Sequence, residues 1–238
     1  MTRLSVNINK VALIRNARGG AKPDLKQIAL DLEKFGAQGI TVHPRPDQRH
    51  IRYDDVRELY PVLSTEFNIE GNPDKKWLEI VKEAKPAQAT LVPDDPDQLT
   101  SDHGWDTIAN ESFLKDTIQE LKESGCRVAL FIDPIEQFIE RAKKVGADRV
   151  ELYTGPYAKI FSSDKQKAIQ PFIQAAKFAK DIGLDLNAGH DLDLINLRYF
   201  KEHIPGLDEV SIGHALISDS LYFGLEKTVG MYLKELKE

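Results

Sequence analysis

Eight short strand-like runs alternate along this chain with eight longer helix-like runs, and that alternation constrains the fold more than any other feature. The strand-like runs are 3–9 (RLSVNIN), 39–43 (GITVH), 65–70 (TEFNIE), 87–92 (AQATLV), 127–132 (RVALFI), 148–153 (DRVELY), 184–188 (LDLNA) and 207–212 (LDEVSI). Between them lie 24–35, 53–62, 74–84, 111–124, 134–145, 164–182, 192–203 and 221–237. Strict alternation predicts parallel strands with crossover helices, and eight units predict closure into a (β/α)₈ TIM barrel. Such a barrel takes about 250 residues, and the chain has 238, so one domain over 1–238 is expected.

Local punctuation agrees. Four helix-to-strand junctions, FGAQGITV, SGCRVAL, VGADRVEL and IGLDLNA, carry a glycine suited to the left-handed conformation that stops a helix. Asp24, Asp74 and Asp164 stand where they can cap helix starts. Pro134 fits a first helical position. Residues 10–23 and 93–110 read as long loops on the face where strands end, a place where long loops often serve function.

Composition narrows the function. A net charge of −6 lacks the basic footprint of a nucleic-acid binder, though a local phosphate pocket is compatible with it. No apolar run approaches the roughly 20 residues of a membrane span. The N-terminus has no apolar signal core, and the single cysteine, Cys126, precedes an apolar run and reads as a buried thiol. A soluble protein of the reducing cytoplasm is expected.

Barrel enzymes build their sites at the carboxyl ends of the strands. His43, His190 and His214 stand at such ends, with His50 close behind the first. Glu70 closes the third run, and Glu151 lies within the sixth, where an inward carboxylate needs a reason because barrel interiors are mainly branched and apolar. Histidine and partly buried carboxylates suit proton transfer. RNARGG (15–20) and HPRPDQRH (43–50) add guanidinium groups, which bind phosphate through paired hydrogen bonds. NAGH (187–190) and SIGH (211–214) place Gly189 and Gly213 after strands seven and eight, where barrels often hold phosphate. No HxH pair stands on strand one and no HExxH occurs, so no metal is expected; no lysine ends strand six, and Lys10 is the lysine placed to reach the mouth. The residues alone leave open a phosphosugar isomerase, epimerase or aldolase, or a non-catalytic sensor of phosphorylated ligands.

Taken together, VNIN…RNARGG, GITVHPRPDQRHI, NIE, LVPD, LFID, VELYTG, LNAGHDL and SIGHALI resemble the pyridoxine 5′-phosphate synthase family, along nearly the whole chain. The resemblance implies a barrel with extra helices, assembled as a homo-octamer. It also implies condensation of 1-deoxy-D-xylulose 5-phosphate with 3-amino-2-oxopropyl phosphate, without metal or organic cofactor. By motif position it makes His43 and Glu70 proton acceptors, His190 a proton donor, and Glu151 a stabiliser of charge during ring closure. It assigns Asn7, Arg18, Gly213 and His214 to the aminooxopropyl phosphate, and Arg45 and His50 to the deoxyxylulose phosphate. Ser101 stands where many relatives have threonine. Asn9 and Lys10 replace a common Asp-His pair on the deoxyxylulose side. Asp191 replaces a frequent glycine, and only its backbone N–H is expected to face the ligand.

Overall fold

Eight strands close into one parallel barrel in sequence order, β1 to β8, with β8 returning to pair with β1. The computed structural model describes residues 1–95 and 97–237. The strands are β1 (Arg3–Asn7), β2 (Gly39–Val42), β3 (Glu66–Gly71), β4 (Gln88–Leu91), β5 (Arg127–Ile132), β6 (Arg149–Tyr153), β7 (Asp185–Gly189) and β8 (Leu207–Ile212). The helices are α1 (Asn9–Asn16), α2 (Leu25–Lys34), α3 (Tyr53–Leu59), α4 (Lys75–Ala84), α5 (Glu111–Glu123) and α6 (Glu136–Lys144). They continue with α7 (Gly155–Phe161), α8 (Lys165–Asp181), α9 (Leu197–His203), α10 (His214–Phe223) and α11 (Leu225–Leu236).

Side chains alternate across a strand, so each strand presents one row to the helices and one to the lumen. The outer rows are apolar and buried: Leu4 and Val6, Ile40 and Val42, Val128 and Leu130, Val150 and Leu152 are all 0 % exposed. The inner rows are polar. Arg3 and Arg127, on β1 and β5, both pair with Glu66 on β3, contacts between non-adjacent strands that must cross the lumen. Thr90 donates to Asn68 at 2.9 Å, and Ser5 and Thr41 hydroxyls meet at 2.7 Å. The expected branched apolar interior is therefore replaced by hydrogen-bonded polar layers, and an inward Glu151 is in keeping with its neighbours. Most buried polar groups persist by finding partners, whereas Glu151 Oε2, Asn187 Oδ1 and Glu209 Oε2 have no hydrogen-bond partner among the described residues.

The four junction glycines Gly36, Gly125, Gly146 and Gly183 all have positive φ, between 71° and 103°. Asp24, Asp74 and Asp164 accept from the backbone N–H groups of Gln27, Trp77 and Lys167. Pro134 lies outside its helix, which starts at Glu136 after Ile135. Cys126 is buried and free.

Among the described residues, three helices lie beyond the eight expected. Residues 9–16, expected within a loop, form α1, because VALI turns Val11 and Ala12 onto the barrel at helical spacing. The others are α7 and α10, short segments directly after β6 and β8. The ninth and eleventh helices start later than expected, at Leu197 and Leu225, since 192–196 form turns and Gly224 separates α10 from α11. The segment 93–110, of which residue 96 lies outside the described residues, is pinned at its second half. Trp105 N–H donates to the Phe131 carbonyl at 2.8 Å, and Gly104 packs against the Ile132 backbone too closely for any Cβ.

Candidate active site

The carboxyl ends of the strands surround a cavity of about 530 Å³. Asn7, Asn9, Lys10, His43, Arg45, His50, Glu70, Ser101, Glu151, His190, Asp191, Gly213 and His214 all line it. Every expected site residue except Arg18 is thus brought to one place. Arg18 lies beyond the C-terminus of α1 on an exposed turn. Its neighbour Arg15, three residues earlier in the same motif, is buried. It makes a two-pronged pair with Asp55, one arm at 2.8 Å, and donates to the His50 carbonyl at 3.3 Å.

The floor is built by hydrogen bonds between strands. Asn7 donates its side-chain N–H to Glu70 at 3.2 Å, while its oxygen accepts from the Asn9 backbone N–H at 3.0 Å. The Asn9 side chain in turn accepts from the His43 backbone N–H at 2.9 Å. Ser211 donates to the second Glu70 oxygen at 3.3 Å, and the Trp77 indole N–H holds the Glu70 carbonyl at 2.8 Å. Gly189 lies so close to the Glu151 carboxylate that a Cβ there would strike it, so glycine is what admits the acid.

Burial sets the charge states. The Glu70 carboxyl is pushed up to about 8, by burial first, with the Asp94 and Glu209 charges adding and the Ser211 and Asn7 hydrogen bonds opposing. Glu151 is raised as well, by burial and then by the Glu70 and Glu209 charges. His43 is held well below the usual imidazole range, by burial and then by Arg45, His50 and Arg49. His50 is lowered to about 4 for the same leading reason. Its Nδ1 accepts from the Ile51 N–H at 2.9 Å, which leaves Nε2–H as the donor. Two neutral imidazoles can take protons, and a Glu70 carboxyl raised to about 8 exchanges its proton near neutral pH.

The raised Glu70 makes a stability prediction. A glutamate in the unfolded chain titrates near 4.3. Between about 4.3 and about 8 the folded protein therefore holds a proton that the unfolded chain has lost, so this group makes stability fall as pH rises through that window. Glu70→Gln removes the slope. Thermal unfolding scans from about pH 5 to about pH 9 are expected to show the variant gaining Tm over wild type up to about pH 8 and level beyond it. Parallel curves would contradict the raised carboxyl.

Contacts between the lining residues and their neighbours are not legible in the sequence. Arg45 pairs with buried Asp94 and donates to the Gln98 carbonyl at 2.6 Å, and Ser101 donates to the same Asp94 at 2.8 Å. Thr100 meets His190 Nε2 at 3.0 Å. Ser211 was legible in principle, because it stands two residues before Gly213 and so shares its face. Asp191 makes a contact that the sequence does not announce. Its backbone has φ of +56°, and its carboxylate turns to His190, with 3.0 Å between Oδ2 and Nδ1. At the far end Gly213 caps α10, and a Cβ there would come within 3.0 Å of the Asn7 Cβ.

No helix among the described residues is long and apolar enough to cross a membrane. Among solved structures, the fold is similar to phosphoribosylanthranilate isomerase from Thermotoga maritima, with a TM-score of 0.61 and 16% identity over 99% of this chain and 98% of that one. It is also similar to tryptophan synthase from Mycobacterium tuberculosis, with a TM-score of 0.67 and 11% identity over 100% of this chain and 93% of that one. At such identities the likeness is one of fold. In sequence, residues 4–238 match the family described as pyridoxal phosphate biosynthesis protein PdxJ. Relatives named pyridoxine 5′-phosphate synthase are 60% identical over the full length of both chains in Cytophaga hutchinsonii and 57% in Christiangramia forsetii. The relative of that name in Phocaeicola vulgatus is 59% identical over 98% of each chain. With this cavity at the mouth of a closed barrel, the chain belongs to the pyridoxine 5′-phosphate synthase family and is an enzyme of that kind.

Proposed function

We propose that this pocket condenses 1-deoxy-D-xylulose 5-phosphate with 3-amino-2-oxopropyl phosphate, giving pyridoxine 5′-phosphate, inorganic phosphate and water by acid–base catalysis alone. The observation that carries this reading is one cavity that brings cationic and imidazole groups, a helix start and the proton-transfer candidates His43, Glu70, Glu151 and His190 together. Lys10, Arg45 and His50 line it, as do Gly213 and His214 at the start of α10. A helix start offers free N–H groups and a favourable dipole to phosphate.

In this cavity, His43 and Glu70 accept protons as the amine joins the ketone and water leaves. His190 donates to the departing oxygen, and Glu151 balances charge as the ring closes. A neutral His43 is competent as a base; burial first, and then Arg45, His50 and Arg49, hold its affinity for protons down, and a dianionic phosphate beside Arg45 offsets the second part. Holding both substrates in one cavity makes the joining step effectively unimolecular. Asn7 orients Glu70, Asn9 orients the His43 backbone, and Ser101 and Asp191 border the phosphate ends. Incubation with both phosphosubstrates and no added metal is expected to yield pyridoxine 5′-phosphate. Activity that EDTA abolishes and a divalent ion restores would overturn the metal-free part.

Arg18 closes over the aminooxopropyl phosphate from its exposed turn, beside glycines that let the chain move close to an anion. Arg18→Ala is expected to cost roughly 10-fold or more in use of that substrate, as loss of a charge-assisted contact does, and Arg18→Lys to recover only part. Varying each substrate separately checks this, and wild-type dependence on the amino substrate in both variants would make Arg18 a surface residue. The compartment is the cytoplasm. The assembly is a homo-octamer, a reading supported by Leu221 and Tyr222 at the end of α10, which are 74 % and 87 % exposed in one chain. Light scattering tests it, with the 26.8 kDa monomer as the contrary result.

A further inference from the structure

Directly after β7 the backbone does something costly. His190 and Asp191 both adopt the left-handed region, at φ of +80° and +56°, two consecutive non-glycine residues where glycine would rest without strain. The turn is over-determined by its surroundings. The Thr154 hydroxyl contacts the Gly189 carbonyl at 2.7 Å and the His190 carbonyl as well, and the Asn196 amide donates to the Asp191 carbonyl at 3.1 Å. The aspartate side chain is turned back onto the preceding residue, with Oδ2 3.0 Å from His190 Nδ1. On the other side of the ring, Nε2 stands 3.0 Å from the Thr100 hydroxyl. Tyr153 packs edge-on against the ring at 5.3 Å. Asp94, in the loop after β4, and His214, at the start of α10, are the further charged neighbours of the pair.

We propose that Asp191 is a positioning residue for His190: its carboxylate fixes the proton on Nδ1 and keeps Nε2 turned into the cavity as the donating nitrogen. The proposal rests on the reading of His190 as the proton donor. Which imidazole nitrogen is protonated is set by the bond the other one makes. With Nδ1–H held by Asp191, the proton on Nε2 is the one given up. Donation breaks the Nε2–H bond, forms an O–H bond on the substrate and leaves a neutral ring. Nδ1 lies 3.0 Å from Asp191 Oδ2 without in-line hydrogen-bond geometry, so the carboxylate acts on Nδ1–H as a close ionic partner, and the neutral ring has no need to turn between cycles. In the neutral form, Nε2 can accept from the Thr100 hydroxyl. Contact with His190 holds the Asp191 carboxyl below its ordinary value, so the acceptor is an anion near neutral pH.

The substitutions that test this suit the backbone. Asp191→Gly fits the left-handed φ and removes the carboxylate, while Asp191→Asn tolerates that φ and keeps an acceptor oxygen without the charge. Solid-state ¹⁵N spectra of histidine-labelled protein, with the His190 signals identified by their loss in His190→Asn, read the tautomer directly. Wild type is expected to show Nδ1–H at His190, and Asp191→Gly a mixture of both tautomers. In parallel, kcat of Asp191→Gly is expected to fall roughly 10-fold, with KM for each substrate within about twofold of wild type and Asp191→Asn in between. Unchanged His190 spectra in Asp191→Gly, or an effect confined to KM, would overturn the proposal. So would full kcat in Asp191→Gly when His190→Asn is inactive. If His190→Asn itself keeps wild-type turnover, the donor reading has failed, and the catalytic role given to Asp191 falls with it.

Discussion

Glu70→Gln is expected to lower kcat by about 10²–10⁴-fold, the usual contribution of a positioned general base, while substrate binding changes little. Gln keeps the shape, and it can still meet the Asn7 and Ser211 side chains that hold the carboxylate from two strands. It cannot take a proton. The buried carboxyl, pushed up to about 8, is matched to chemistry near neutral pH, since a base works best when its affinity for the proton lies near the working pH. His43→Asn should act alike, because His43 is the neutral imidazole facing the same cavity. Single-turnover measurement with both substrates saturating separates turnover from binding. Near-normal turnover in Glu70→Gln would mean that the proton goes elsewhere.

The other large effect is structural and falls on the arginine motif. Arg15→Ala is expected to destabilise the fold by about 3–5 kcal/mol, the cost of leaving one member of a buried ion pair alone. Arg15 and Asp55 are each 7 % exposed, and their two-pronged pair ties α1 to the start of α3. Asp55 also accepts from the Arg52 backbone N–H at 2.7 Å, so the unpaired carboxylate would stay fixed in place. For a chain of this length the loss amounts to a fall in Tm of roughly 10 °C. The same variant should also weaken the deoxyxylulose end, because Arg15 and Asn16 both donate to the His50 carbonyl. Arg18→Ala, on an exposed turn, should stay within about 0.5 kcal/mol of wild type. Chemical denaturation of the two variants side by side distinguishes these roles, and equal stabilities would refute them. The Arg15→Ala/Asp55→Ala double variant should lose less than the sum of the singles.

RNARGG shows where sequence reading stops. Its two arginines look alike on paper, three residues apart in one glycine-ended motif and both suited to phosphate. The difference is made by α1, which carries Arg15 inward to Asp55, 40 residues along the chain, and leaves Arg18 past the helix end. Ser211, Thr100 and Asp94 were missed for a related reason. Each acts by touching a residue of another strand or loop, Glu70, His190 or Arg45, and contact across a barrel has no local signature. The contact of Asp191 with His190 depends on a left-handed turn that glycine alone would have announced.

The sequence by itself determined the barrel and the set of residues at its mouth. Alternation of apolar and polar side chains within a strand, glycine at helix ends and aspartate at helix starts are local effects, written within a few residues of where they act. Thirteen of the fourteen expected site residues line the cavity because strand ends are themselves local features. Only the tertiary structure decided the polar lumen, the three helices α1, α7 and α10, the buried Arg15–Asp55 pair and the charge states of Glu70 and His43. Those depend on closure of β8 onto β1. Closure removes water from the inward-facing acids and histidines and brings together charges from strands far apart in the chain, and that desolvation raises the Glu70 carboxyl and keeps His43 neutral.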